Sequence, residues 1–117
     1  MATTSATNGG TFASDNTVGT IAITNPSNAQ TSNDSYATAV LLLNEITNYL
    51  KVTNFSFTIP IHSTIDGILV EIERKSTLAN SITDSAVRLV LPSGSFGSTN
   101  KSAGASWPNA DAYASFG

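Results

Sequence analysis

The chain has 117 residues, of which 40% are hydrophobic and 11% are charged, with a formal net charge of −3 and no cysteine. This length and apolar content suit one domain with a modest core. Five scattered basic residues do not make the positive cluster that nucleic acid requires, and the lack of cysteine excludes disulfides, thiol catalysis and cysteine-ligated zinc. No apolar run is long enough to span a membrane, and no Sec-type signal peptide is visible.

The polar residues are mainly Ser, Thr and Asn. β-branched Thr favours strands, whereas Ser and Asn favour turns. Short apolar segments separated by such turns predict an all-β fold, a single antiparallel β-sandwich or jelly roll. The same composition is common on extracellular and virion surfaces.

The first part of the chain is predicted to contain one strand and one turn. Residues 1–10 have no apolar periodicity and are interpreted as a flexible arm, with the domain at residues 11–117. Residues 18–24 are predicted as the first strand, with their isoleucines facing inward, and residues 25–28 as a turn.

Residues 36–50 allow two interpretations. Leu42, Ile46 and Leu50 fall at helical spacing, but the neighbouring Asn and Thr residues are weak helix formers, so we favour strand, turn, strand and keep the helix as the alternative. The apolar alternation changes phase after Val52, which predicts a β-bulge near residues 53–54.

The clearest strand pattern lies in residues 64–74, where Ile and Val alternate with Glu71 and Glu73. Residues 86–91 are predicted as the next strand, with Arg88 facing outward opposite one of these glutamates. A turn follows at residues 92–94. Beyond it we expect a short strand near Phe96 and then loops.

No residue pattern points to catalysis or to a metal site. His62 is the only histidine, and it is interpreted as a turn residue because no second ligand or nucleophile accompanies it. Glu71 and Glu73 are interpreted as a solvated strand face rather than a glycosidase pair. Asp and Asn residues at turns could surround calcium, but Asx-turn capping is the favoured interpretation. We therefore expect no enzyme activity, no metal and no cofactor.

Three aromatic residues near the carboxyl end are the candidate binding residues: Trp107, Tyr113 and Phe116. One interpretation makes them core or subunit-interface anchors, with a patch around Trp107 and Phe116 buried between subunits. The other makes them an aromatic platform for stacking sugars. We favour the first.

Several blocks of the sequence, in this order and spacing, resemble a β-sandwich domain of tailed-bacteriophage and environmental viral structural proteins. The blocks are Asn-Pro-Ser-Asn-Ala at 25–29, Asp-Ser-Tyr-Ala-Thr-Ala at 34–39, residues 48–60, residues 65–74 and Val-Arg-Leu-Val at 87–90. The resemblance covers roughly residues 25–117. It names no catalytic residues.

The resemblance implies a non-enzymatic component of a virion, either a capsid decoration or part of a tail or appendage. Such a protein would be extracellular or virion-bound, with copies of itself or other virion proteins as partners. The alternative function is a carbohydrate-binding module on a host-recognition appendage, with surface glycans as ligands.

Two departures from the family pattern carry expectations. The family often has Gly near the position of His62, so this turn is expected to differ in shape. The family domain also usually continues past the Trp107 region into closing strands, whereas this sequence stops at Gly117. We therefore expect an open sheet edge that a neighbouring subunit, the arm or loops must cover.

Overall fold

The computed structural model describes residues 3–117, and within them the all-β prediction is confirmed. The regular structure consists of strands in two small antiparallel sheets and one 3-10 helix at Pro26–Gln30. No helix in this part of the chain has the length and apolar character needed to cross a membrane. The strands are β1 (Thr11–Asp15), β2 (Tyr49–Thr53), β3 (Val70–Arg74) and β4 (Ala112–Phe116).

The chain divides into two compact units, Met1–Ile61 (unit 1) and His62–Gly117 (unit 2). Unit 1 contains β1 and β2, which pair in register from Thr11 opposite Thr53 to Asp15 opposite Tyr49. Unit 2 contains β3 and β4, which pair from Val70 opposite Phe116 to Arg74 opposite Ala112.

Gly9 is closely surrounded by apolar side chains of unit 1. This glycine is buried, and a Cβ placed on it would lie only 2.1 Å from Cγ1 of Val52. The same Cβ would lie 3.4 Å from the ring of Phe12 and 3.5 Å from the ring of Phe55, which are ordinary contact distances. The Gln30 side chain also donates a hydrogen bond to the Gly9 carbonyl. The end of the predicted arm therefore packs on the β1–β2 sheet; residues 1 and 2 lie outside the described range.

The first predicted strand, residues 18–24, does not form, and β1 lies upstream of it. Only single bridges occur there, from Ile21 to Thr47 and from Thr24 to Thr38. Gly19 interrupts the predicted strand near its start because its φ of 69° is left-handed rather than extended. The turn predicted at residues 25–28 is confirmed by the 3-10 helix.

The helical alternative for residues 36–50 is wrong, and so is the strand expected before the turn. The predicted turn is present at residues 43–44, where Asn44 has a φ of 65°. Next to it, the amide of Leu42 donates to the Glu45 carboxylate, an example of a side chain competing with the backbone for hydrogen bonds. A strand follows the turn, but only from Tyr49 onward.

The phase change after Val52 marks the end of β2 and not a bulge. Asn54 and Ser56 have φ values of 62° and 51°, both left-handed, so the extended backbone stops at Thr53.

The strand predicted for residues 64–74 is confirmed only for Val70–Arg74. Val70 lies opposite Phe116, so β4 offers no residue opposite positions 64–68. β4 itself was predicted as loop. The strand predicted at residues 86–91 is reduced to one bridge, Val90 to Phe96, closed by the predicted turn at residues 92–94.

Arg88 was predicted to lie opposite Glu71 or Glu73, and this prediction is wrong. Its Nη1 donates to the carbonyls of Gly97 and Ser98, at 3.1 and 2.6 Å. The half-buried guanidinium therefore holds the two arms of the small hairpin together, because it satisfies carbonyls across the turn.

Candidate interaction site

Two of the three predicted binding residues lie together in unit 2. The guanidinium carbon of Arg74, at the end of β3, lies 5.5 Å from the centroid of the Trp107 ring and 5.8 Å from that of the Phe116 ring. Phe116 is 7% exposed and is the one buried hydrophobic side chain among the described residues. Trp107 is half-buried. The cation-π contacts join the two rings through a single charged group.

Asp84 neutralises this charge. Its Oδ2 accepts from Arg74 Nη1 at 2.7 Å, and its Oδ1 accepts from Trp107 Nε1 at 2.7 Å. The side chains of Arg74 and Asp84 are only 9% and 7% exposed. Asp84 therefore links the end of β3 to Trp107, and among the described residues no buried side-chain nitrogen or oxygen atom lacks a hydrogen-bond partner.

Tyr113 lies apart from these two rings. Side chains of a strand alternate between its two faces, so Tyr113 and Ser115 share one face of β4 while Ala114 and Phe116 share the other. Tyr113 lies opposite Glu73 and is 62% exposed. The structure therefore does not bring the three predicted residues onto one platform, and their roles as interface or glycan-binding residues stay predictions.

β4 also has an open edge. Its sheet contains two strands, and no bridge or loop hydrogen bond recorded for residues 3–117 reaches the side of β4 that faces away from β3. Charged residues and proline are the usual protection of such edges. β4 has the sequence Ala-Tyr-Ala-Ser-Phe and carries neither.

Large hydrophobic side chains are exposed throughout both units. In unit 1 they cluster in the turn region after Ala39, where Leu43 is 92% exposed and Val40 is 83% exposed. Further examples are Ile61 in unit 1 and Ile65, Leu69, Leu78 and Leu89 in unit 2. Scattered exposed apolar residues are normal, whereas contiguous exposed apolar patches are typical of interaction surfaces.

The total accessible surface is large as well. The chain exposes 8493 Å². Two separately folded bodies of about 6 kDa each would together expose roughly 7,300 Å² by the usual scaling of surface with mass. The excess is therefore roughly 1,200 Å².

The other candidate residues have simple surroundings. His62 is exposed in a turn with a φ of 66°, a conformation that glycine adopts more easily. Glu71 and Glu73 lie across from Ser115 and Tyr113 on one face of the β3–β4 sheet. Within residues 3–117, no group of three or more His, Asp or Glu side chains could hold a metal ion.

Two features of this site were not foreseen from the sequence. Asp84 was counted only among the turn Asp and Asn residues interpreted as Asx-turn caps, although Trp107 and Arg74 both need a buried acceptor. β4 was assigned to a loop. Its faces, Tyr113 with Ser115 and Ala114 with Phe116, each combine an aromatic residue with a small one, so the period-two signal is weak.

Comparison with family models, with curated proteins and with solved structures gave no match. The resemblance to viral structural domains therefore stays a prediction.

Proposed function

We propose that this protein is a non-enzymatic structural component of a virion, a capsid decoration or a part of a tail or appendage. It acts by packing against copies of itself or against a shell protein. The fold proposed with this function is an antiparallel β-sandwich or jelly roll. The virion context comes from the family resemblance, and the assembly comes from the surface of the chain.

The observation that carries the assembly proposal is the exposed apolar surface. Phe116 is the only buried hydrophobic side chain among residues 3–117, whereas Val40, Leu43 and Ile61 are each more than four-fifths exposed. Burying apolar surface contributes about 25 cal/mol per Å², so a chain of this kind gains stability by associating. An open, uncharged strand edge adds main-chain groups that a neighbour can satisfy.

Light scattering on the purified full chain, followed by negative-stain imaging of any large species, tests this function. We expect a defined oligomer or a regular particle or filament whose mass is a multiple of 12.1 kDa. A well-folded monomer at all concentrations would remove the basis of the self-assembly proposal. A monomer that binds a shell protein would support only packing on another protein.

Glycan binding is the second function that we propose to test, and the exposed ring of Tyr113 is the observation that favours it. An exposed aromatic ring beside hydroxyl and carboxylate groups is a suitable surface for a sugar. Titration against an array of bacterial surface glycans should then show binding that Tyr113→Ala abolishes. The matched control Tyr113→Phe keeps the aromatic ring and should retain most of the binding. An array without a hit would count against this function.

A further inference from the structure

The strand edge that β4 leaves open suits one particular partner. We propose that β4 pairs antiparallel with β4 of a second copy of the chain, so that two copies form one continuous four-stranded sheet in the order β3, β4, β4, β3. This inference rests on the proposed self-assembly and specifies its contact surface. It concerns an interface between identical chains, for which a twofold arrangement is the commonest solution.

The sequence of β4 is compatible with itself. In an antiparallel pair centred on Ala114, Ala114 faces Ala114 of the second copy, and Tyr113 faces Ser115 of the second copy on both sides of the axis. No charged residue meets a like charge, and no proline interrupts the ladder. In this pair the neighbouring strand would bury part of each exposed Tyr113 ring.

Two of the other strands would repel their own copies in an equivalent arrangement. A β3 pair centred on Ile72 would place Glu71 opposite Glu73 of the second copy, twice. A β2 pair centred on Lys51 would place two lysines opposite each other. Like charges directly opposite are destabilising, so these edges are the less suitable ones.

β1 is less favoured for a different reason. It contains Asp15, which lies near Lys51 of β2, with 3.8 Å between Oδ2 and Nζ. An added strand on that edge would have to accommodate the carboxylate, and edge charges of this kind discourage pairing. β4 is thus the one strand of the described residues with no charge and no proline.

The exposed area is sufficient for a stable contact. A standard protein interface buries about 800 Å² on each partner. The excess surface of this chain, roughly 1,200 Å² over two separately folded bodies, exceeds that amount. The chain as a whole therefore exposes enough surface to form one such interface.

Engineered cysteines test the pairing directly, because the chain has no cysteine of its own. Ala114→Cys should form a disulfide-linked dimer on mild oxidation, and so should a mixture of Tyr113→Cys and Ser115→Cys chains. Directly opposite residues of an antiparallel pair have Cα atoms roughly 4.5–5.5 Å apart, within the range that a disulfide spans. Ala13→Cys, at the exposed centre of β1, is the matched control and should remain largely uncrosslinked.

Like charges provide a second test. The double variant Tyr113→Lys with Ser115→Lys places lysines opposite lysines between copies, while within unit 2 the same lysines face Glu73 and Glu71 and preserve the β3–β4 pair. We expect its association constant to fall at least about tenfold. The control Ser27→Lys with Ala29→Lys adds the same charge in the exposed 3-10 helix and should leave association unchanged.

The outcomes separate this inference from the proposed function. Crosslinks through β4, together with weakened association of the lysine variant, support the β4 interface. An oligomer that shows neither would overturn the β4 interface and leave self-assembly standing. A wild-type chain that is monomeric at every concentration would overturn both.

Discussion

Replacing Asp84 with alanine should destabilise unit 2 by about 3–5 kcal/mol. The carboxylate accepts hydrogen bonds from Arg74 and from Trp107, each at 2.7 Å. The Arg74 side chain is only 9% exposed, so the substitution leaves a nearly buried positive charge and an indole N–H without their acceptor. A unit of about 55 residues has a total stability of roughly 3–8 kcal/mol, so this loss is a large part of the total.

Urea unfolding of the full chain, followed by tryptophan fluorescence, measures this effect at the right place, because Trp107 is the only tryptophan. The milder Asp84→Asn keeps one carbonyl acceptor and should cost about 1–3 kcal/mol. Its free energy of unfolding remains measurable even if the alanine variant is unfolded.

The matched control is Asp111→Ala. Its carboxylate lies 3.8 Å from Lys75, with side chains 31% and 38% exposed, so its loss should cost less than about 1 kcal/mol. Equal effects of Asp84→Ala and Asp111→Ala would refute the role assigned to the cluster.

Three further predictions concern backbone conformation and pH. Gly19→Ala should destabilise unit 1 by about 2–4 kcal/mol in a denaturant titration, because a Cβ would lie 2.0 Å from the Thr47 carbonyl oxygen at a left-handed φ of 69°; an unchanged midpoint would contradict this geometry. His62→Gly should raise stability by about 0.5–1 kcal/mol because glycine adopts the φ of 66° without strain, and a loss of stability would show that the imidazole has a structural role. Hydrogen bonds from the hydroxyl and then the amide of Thr17 lower the pKa of Asp15 below 3.8, so its carboxylate stabilises the fold above that pH and the stabilisation is lost as the pH falls through the lowered pKa. Wild type and Asp15→Asn should therefore differ in stability at pH 7 and converge at strongly acidic pH, and a difference that persists there would contradict this account.

The sequence predicted strands where apolar and polar residues alternate clearly. β3 has this pattern, with Val70 and Ile72 separated by a glutamate, and its strand character was predicted correctly. β4 has small residues on both faces, so its extended conformation depends on pairing with β3 rather than on local preference. That pairing joins residues about 40 positions apart, and no short-range pattern reveals it.

Turn residues indicated where the regular strand pattern is interrupted, but they did not indicate whether the interruption is a strand end or a bulge. Asn44 and Asn54 both adopt left-handed backbone, as turn-forming asparagines commonly do. At Asn54 the sequence showed a change of phase, which a bulge and a strand end produce equally well. The difference lies in whether a partner strand continues alongside, and this is a property of the three-dimensional arrangement.

The candidate site was predictable in its aromatic residues and not in its polar ones. Trp107 and Phe116 were candidates because large aromatic side chains commonly serve as core or interface anchors. Asp84 is a small acidic residue in a polar segment and resembles any turn aspartate until Arg74 and Trp107 are placed beside it. Its importance follows from burial, which depends on the whole of unit 2.

The mass of the purified full chain, measured by light scattering across a wide dilution series, tests the central claim most directly. Self-assembly predicts species whose masses are whole multiples of 12.1 kDa and which dissociate only on dilution. A mass of one chain at every concentration, with the chain folded, would contradict the claim that the exposed apolar side chains and the open edge of β4 are covered by other copies.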